Sequence, residues 1–461
     1  MTTAKRGEIT VFLSLIFLLM LSLLTSLLQS VQIQNAKSET HAVMTLATES
    51  VFAEYQKELF ERYDLFVIDS TYEGVYENNE GILQRLSYYG GGRTNCEVQK
   101  IRYLSDNNAK AMLGQIDTYM RQKYGLLQGE RIDIELKDSA ESLQIEDWIR
   151  REEQKGERLK GKWEADVRAA EAIIGKESLE EEENPISGME KLNTSFLLEL
   201  ILGKEEEIPK GNISKEELPS LRHLQSGYGT FQEVKDPSKM FLGEYIEEHF
   251  DSFISQRDGA PLQCEMEYLL EGKESDQENL QKIAEKLLLL RMASNYLCLI
   301  GDEERKAEAR MMAAAICTLL LLPELTEAAV NFLIVLWSFG ESIMDLRVLF
   351  RGGKVALQKT KEQWQLTLSS LFRMGKGEWD NPATDDTEGI SYTQYLKACL
   401  LMEERGMLAK RMLDIMELNM RMEKGCEFFR VDACVTALQV RCTSVFSKGI
   451  TYIYPCTYQY Q

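Results

Sequence analysis

Hydrophobic positions change their spacing several times along the chain, and each change predicts a different element. Ile9 to Leu28 is a run of twenty uncharged, mostly apolar residues (ITVFLSLIFLLMLSLLTSLL). At ~1.5 Å rise per residue such a run reaches across the ~30 Å hydrocarbon core of a bilayer, where a helix satisfies its own backbone. Residues 9–28 are therefore predicted to be a transmembrane helix, with Leu15, Leu19 and Leu23 as anchor positions. Beyond it, Ser30 to Arg62 contains no Gly or Pro, and apolar residues recur at Val43, Leu46, Ala47, Val51, Phe52, Tyr55 and Leu59. That three-four spacing predicts a stalk helix continuing the membrane span over 29–62. Tyr63 to Asp69 turns strand-like, and Glu97 to Leu104 repeats the pattern more weakly.

The strongest period of two lies at the C-terminus. Ile450, Tyr452, Tyr454, Cys456, Tyr458 and Tyr460 alternate with Thr451, Ile453, Thr457 and Gln459, and Ser447-Lys448-Gly449 supplies a turn before them. In the preceding strand the apolar parity is odd from Phe429 to Ala437 and even at Leu438 and Val440, a phase change that predicts a bulge. Pro455 lacks an amide hydrogen, which places its strand at an edge or interrupts it.

Helical spacing dominates between these strands. Ser139 to Lys176 reads as an exposed charged helix fading into Glu180-Glu181-Glu182-Glu183, and Gly188 to Leu202 as a helix bounded by Pro185 and Gly203. A Gly/Pro-rich stretch to Lys239 marks loop or boundary. Phe241 to about Arg351 is the densest helical region, followed by a helix from Tyr392 to Met422. Within it, Ala313–Leu322 and Ala328–Phe339 are too short to span a bilayer and fit a buried helical hairpin. The predicted segments are 1–8 (cytoplasmic basic flank), 9–28, 29–62, 63–138 (mixed), 139–240 (charged helices and linkers), 241–390 (helical bundle) and 391–461 (helix plus β-hairpin). The fold class is α+β, predominantly helical: a membrane helix running into a stalk, a small antiparallel sheet of early and C-terminal strands, and a large helical insertion.

Charge orients the anchor and excludes one class of partner. Lys5 and Arg6 precede the span, so the positive-inside bias keeps the N-terminus cytoplasmic and the bulk extracytoplasmic at the cell membrane. A cleavable signal is the rival reading, but the apolar stretch exceeds the usual ~7–15-residue core and no A-x-A-like site follows it. With 74 acidic against 53 basic residues in 461, the net charge is −21. That charge repels nucleic-acid phosphates and describes a solvated surface. The membrane is therefore an expected partner and nucleic acid is not, while an acidic face that recruits a basic protein partner stays open; the oligomeric state is not legible.

Candidate chemistry is sparse. The three histidines, His41, His223 and His249, are scattered, and no HExxH, GxSxG or phosphate-cradling glycine loop occurs; Gly90-Gly91-Gly92-Arg93 reads as a turn. No catalytic residue, cofactor or metal site is assigned. Nine cysteines occur without metal-type spacing. Cys298, Cys317 and Cys399 sit in apolar helical patterns as core residues, whereas a short loop at Lys448-Gly449-Ile450 is expected to set Cys442 opposite Cys456 as a disulfide pair. Glu265 and Glu267 are one carboxylate grouping. Glu341 and Asp345, at i and i+4 in an apolar helix near Arg347, form another, read as a buried charge cluster that fixes helix register.

Several segments together resemble an uncharacterised family of Gram-positive membrane-anchored proteins that accompany Tad (tight adherence) pilus and secretion components. They are Lys5 to Leu19 (KRGEITVFLSLIFLL), Glu61 to Asp69 (ERYDLFVID), Cys264 to Lys273 (CEMEYLLEGK), Trp337 to Lys361, and Ile390 to Arg421. The N-terminus is also similar to a prepilin or TadE/TadG-like leader, with Gly7-Glu8 as a possible processing point. It departs from the pilin pattern in that Phe12, not glutamate, is the fifth residue after the glycine. The resemblance implies a non-enzymatic accessory or minor pseudopilin-like component in assembly of a Tad-type apparatus, on a pilin-like ground plan. The alternatives are a cell-wall hydrolase, which demands a cleft of convergent acids, and a membrane-tethered adhesin or sensor.

Overall fold

The computed structural model describes residues 4–72, 79–92, 94–126, 137–174, 194–203, 207–233, 235–257, 259–319, 321–368, 370, 388–446 and 449–460. Arg93, Glu180 to Glu183, Pro185, residues 188–193 and Ser447-Lys448 lie outside them. In chain order the elements are α1 (Ala4–Phe52), α2 (Lys57–Tyr63), β1 (Ile68–Asp69), α3 (Glu80–Tyr89), β2 (Thr94–Tyr103), α4 (Asp106–Lys123), α5 (Lys137–Ile174) and α6 (Thr194–Leu202). Then follow α7 (Lys239–His249), α8 (Glu265–Glu271), α9 (Asp276–Gly301), α10 (Glu303–Leu319), α11 (Thr326–Phe350), β3 (Lys354–Val355), β4 (Ile390–Ser391), α12 (Tyr392–Met402), α13 (Arg405–Met422), β5 (Cys434–Val445) and β6 (Thr451–Gln459). The fold is α+β and mostly helical, with the sheet drawn from early and C-terminal strands. It divides into two compact units: residues 1–115, 223–235 and 420–461 form the first, and residues 116–222 and 236–419 the second.

In the first unit β5 is the central strand, paired antiparallel with β2 on one side and with β6 and then β1 on the other. α1 is one helix of 49 residues. Among the described residues it alone is long and apolar enough to cross a membrane, and Leu15, Leu19 and Leu23 stand 55 to 61% exposed on it. Gly7 and Glu8 fall in its first turns, and their side chains lie outside the described ones. Its last turns behave differently. Met44, Ala47, Val51 and Phe52 are buried against Leu438, Val440, Cys442, Tyr454 and Tyr460 of the sheet, and withdrawal from water contributes roughly 1.5–3 kcal/mol for each of Met44, Val51 and Phe52.

The stalk does not continue to residue 62 as expected. α1 ends at Phe52 without Gly or Pro because tertiary contacts redirect the backbone: the Gln56 amide donates to the Val67 carbonyl at 2.8 Å, and Tyr55, Phe60 and Phe66 pack edge to face and tilted at 4.5 to 5.3 Å. α2 then closes on Asp64, whose φ of 51° is left-handed. The strand-like run after it contributes only two paired residues, Ile68 and Asp69.

The phase change in the last third corresponds to a real irregularity. Pairing steps from Arg102 opposite Ala437 to Tyr103 opposite Val435, leaving Thr436 as the extra residue in β5. Its hydroxyl donates to the Arg102 carbonyl at 3.1 Å, so the bulge is bonded locally. β6 pairs only with β5 among the described strands, and Pro455 opposite Arg441 sits in that edge strand, the position in a sheet where proline is tolerated.

The second unit is a helical bundle around α9 and α11. α11 is buried almost throughout from Val330 to Phe350. The expected buried hairpin is half right: α10 buries only Ala309, Ala313 and Cys317, while Met311, Leu319 and Leu321 are 69 to 85% exposed. The charged helix α5 is not simply solvated either, since Ile145, Trp148, Ile149, Trp163 and Val167 are buried. Its backbone approaches α9 closely at Gly156, where a Cβ would stand 2.9 Å from the Leu289 side chain. The predicted helix over 392–422 is two helices, because Glu403 adopts extended backbone after α12. α12 starts on a reciprocal cap in which Ser391 and Gln394 bond each other's backbone amides.

Candidate functional site

Three groupings bring chemistry-bearing side chains together. The first is ionic and lies in the second unit. Glu341 and Asp345, four residues apart on α11, share one face as the spacing predicts, and both are fully buried. Their cations come from elsewhere: Lys359 bonds both carboxylates, and Arg291 of α9 pairs with Asp345 at 2.8 Å. Arg347 is not part of this cluster, contrary to expectation. It points its Nε at the Leu200 carbonyl, 3.0 Å away, and burial together with nearby Arg351 lowers its pKa to about 10.

Further hydrogen bonds to the cluster come from backbone groups and from the Asn295 side chain. Glu341 accepts from the Gln365 and Leu366 amides at 3.0 and 2.8 Å, Asp345 from Asn295 at 2.9 Å, and Arg291 donates to the Ala356 carbonyl at 2.8 Å. Burial raises the Glu341 pKa more than Lys359 lowers it. Burial also opposes the charge of Asp345, but Arg291 and Lys359 outweigh it and hold that carboxyl below its usual range. Two cations thus offset two carboxylates, and the segment after β3 is fastened to the bundle. Trp337 adds to this fastening by donating to the Leu366 carbonyl at 2.8 Å.

A second grouping surrounds α8. Glu265 accepts from the Asp251 amide at 2.9 Å and from Asn419 at 2.6 Å. Glu267 accepts from the Phe253 amide at 3.0 Å and the Tyr392 hydroxyl at 2.7 Å. Asp276 holds the Gln263 and Cys264 amides, and Asp414 holds the Ser220 amide and the Tyr268 hydroxyl, each at 2.8 Å. Burial pushes the Glu267 pKa up to about 7. These acids serve as internal acceptors that tie loops to helices, a structural use of charge.

The third grouping is sulfur, in the first unit. Cys442 does not face Cys456 as the loop length suggested; its partner on β6 is Tyr454, and Cys456 stands opposite Val440. The residue directly across from Cys442 is Cys96 of β2, with 3.4 Å between the sulfurs. Cys456 is diagonal to Cys442, two residues along β6 from its direct partner Tyr454.

Among the described residues no group of His, Cys, Asp and Glu is arranged to hold a metal ion. His41 lies by the Tyr454 ring and His249 by Tyr245. A groove lined by Leu242, Ile246, Leu400 and Leu408 has a volume of about 20 Å³, on the order of one water.

The sequence profile of a family of unknown function, DUF5702, matches residues 175–444, more than half of the chain. The protein belongs to the DUF5702 family. The DUF5702 match takes in α6 to α13 and nearly all of β5, and so contains both the ionic cluster and the acids around α8. α1, β2 and β6 lie outside it. No curated protein sequence and no solved structure matches the chain.

Sequence reasoning found Glu341 and Asp345 but missed Arg291 and Lys359. Arg291 carried a usable signal, a lone charge inside Leu287 to Met292, where only a buried partner makes a cation tolerable. Lys359 and Cys96 carried none, because their partners are distant in sequence.

Proposed function

We propose that this DUF5702 protein is a non-enzymatic, single-pass membrane protein with its N-terminus in the cytoplasm and its body outside, working as a pseudopilin-like accessory piece in a surface assembly of the Tad type. The observation that supports this reading is the continuity of α1: one helix carries a membrane-length apolar run and, without a break, buries its final turns on an antiparallel sheet. The analogy is one of ground plan. On the side of α1 away from the sheet, Val43 and Leu46 stand 39 and 62% exposed between the exposed Glu39 and Glu49, a mixed surface within reach of a neighbouring protein.

A photo-reactive phenylalanine analogue at position 46, in the native membrane, tests the role. A discrete cross-linked partner that is a component of a pilus or secretion apparatus supports it. Cross-linking to lipid alone, or a protein that assembles nothing at the surface, refutes it.

A further inference from the structure

The sulfur grouping carries an inference independent of the proposed role. Cys442 lies on the central strand, fully buried, with Cys96 in direct register on one side and Cys456 offset by two residues on the other. Directly opposed residues of an antiparallel pair have Cβ atoms about 4.5–5.5 Å apart, whereas diagonal neighbours lie about 7–8 Å apart, with Cβ atoms somewhat closer. A disulfide requires about 3.5–4.5 Å, so the closing movement is smaller for Cys96 and Cys442 than for Cys442 and Cys456. The 3.4 Å between Sγ of Cys96 and Sγ of Cys442 already aims the two sulfurs at each other.

We propose that Cys96 and Cys442 are a redox-modified pair, closed to a disulfide by exchange with a disulfide oxidant, and that Cys456 beside them stays a thiol. Cys96 is the entry point because it alone of the three is partly exposed, and the hydrogen bond from Cys442 lowers its pKa against the effect of burial. The thiolate is the attacking form. Cys96 attacks one sulfur of the oxidant R–S–S–R, forming a mixed disulfide and releasing RS⁻. Cys442 then gives its proton to a released thiolate and attacks the Cys96 sulfur, expelling the second RS⁻. Two protein thiols and one oxidant disulfide yield one protein disulfide and two RSH, and the oxidant carries off the two electrons.

The bond would link strands 346 residues apart, one before and one after the entire second unit. A Cys442–Cys456 bond would close only the C-terminal hairpin. The two outcomes separate cleanly, because trypsin places Cys96 in Thr94–Lys100, Cys442 in Cys442–Lys448 and Cys456 in the peptide beginning at Gly449. The full-length protein in detergent is treated with oxidised glutathione, blocked with N-ethylmaleimide, digested without reduction and mapped by mass spectrometry. The expected product is Thr94–Lys100 joined to Cys442–Lys448 in most molecules, lost on adding dithiothreitol, lost in Cys96→Ala and retained in Cys456→Ala. Recovery of all three cysteines as blocked thiols, or of Cys442 joined to the peptide beginning at Gly449 in the unaltered chain, overturns the proposal. Should Cys96→Ala not fold, Cys456→Ala alone decides, since a Cys442–Cys456 bond cannot survive in it.

Discussion

Replacing Lys359 by methionine tests the buried ionic cluster most sharply. In the native structure Lys359, with its side chain 3% exposed, touches both Glu341 and Asp345, which are fully buried. Its loss leaves Arg291 paired with Asp345 and strands Glu341 with only the Gln365 and Leu366 amides as donors. Breaking a buried pair by removing one partner costs about 3–5 kcal/mol, because the surviving charge stays buried uncompensated. For a unit of about 290 residues, at about 2.1 cal/mol/K of unfolding entropy per residue, that corresponds to a fall in melting temperature of roughly 5–8 °C.

The cost has a pH signature. Burial already raises the Glu341 pKa above its ordinary value, and losing Lys359 raises it further. The folded variant then binds a proton that the unfolded chain releases, so its stability declines as pH climbs above the unfolded carboxyl value. The deficit against wild type should be small near pH 5 and full at pH 8. Adding Glu341→Gln to Lys359→Met removes the stranded charge and should recover most of the loss at pH 8. Trp337 and Trp364, 6.1 Å apart beside the cluster, report unfolding by fluorescence in urea or on heating. If Lys359→Met matches wild type within about 1 kcal/mol at pH 8, or if the second substitution adds its own loss instead of offsetting the first, the buried-pair argument fails.

Further expectations concern other elements. Glu267, with its pKa pushed up to about 7 by burial, makes folding less favourable as pH rises from about 4.5 to 7, by about 3 kcal/mol in all; Glu267→Gln should flatten that slope in urea titrations at several pH values. Leu19→Arg should cost ~2.5–3.5 kcal/mol of insertion free energy and shift the chain out of the membrane pellet, whereas Leu19→Ala should not. Ser391→Ala removes the reciprocal cap of α12 and should lower stability by about 1 kcal/mol in the same urea assay.

Elements set by local pattern were legible before the fold was known: the apolar run of α1, the alternation of β6, the bulge beside Ala437 and the shared face of Glu341 and Asp345. Long-range pairing was not. Nothing near Gln56 announces that its amide will bond Val67, so the end of α1 could not be read from propensity. The loop at residues 448–450 suggested a register for Cys442 that the β5–β6 pairing moves by two residues, and the true cross-strand neighbour, Cys96, is far away in sequence. Amphipathic placement of α5 was hidden by its many charges, whose apolar stems and intervening tryptophans cover α9.

Protease accessibility on intact spheroplasts, read with an epitope at the C-terminus, tests the central claim directly. Membranes washed in alkaline carbonate should retain the full-length chain, and protease added outside should remove the epitope while leaving a short membrane-embedded N-terminal fragment. An epitope protected until the cells are lysed, or a chain released into the soluble cytosolic fraction, would contradict a body held outside the membrane by α1.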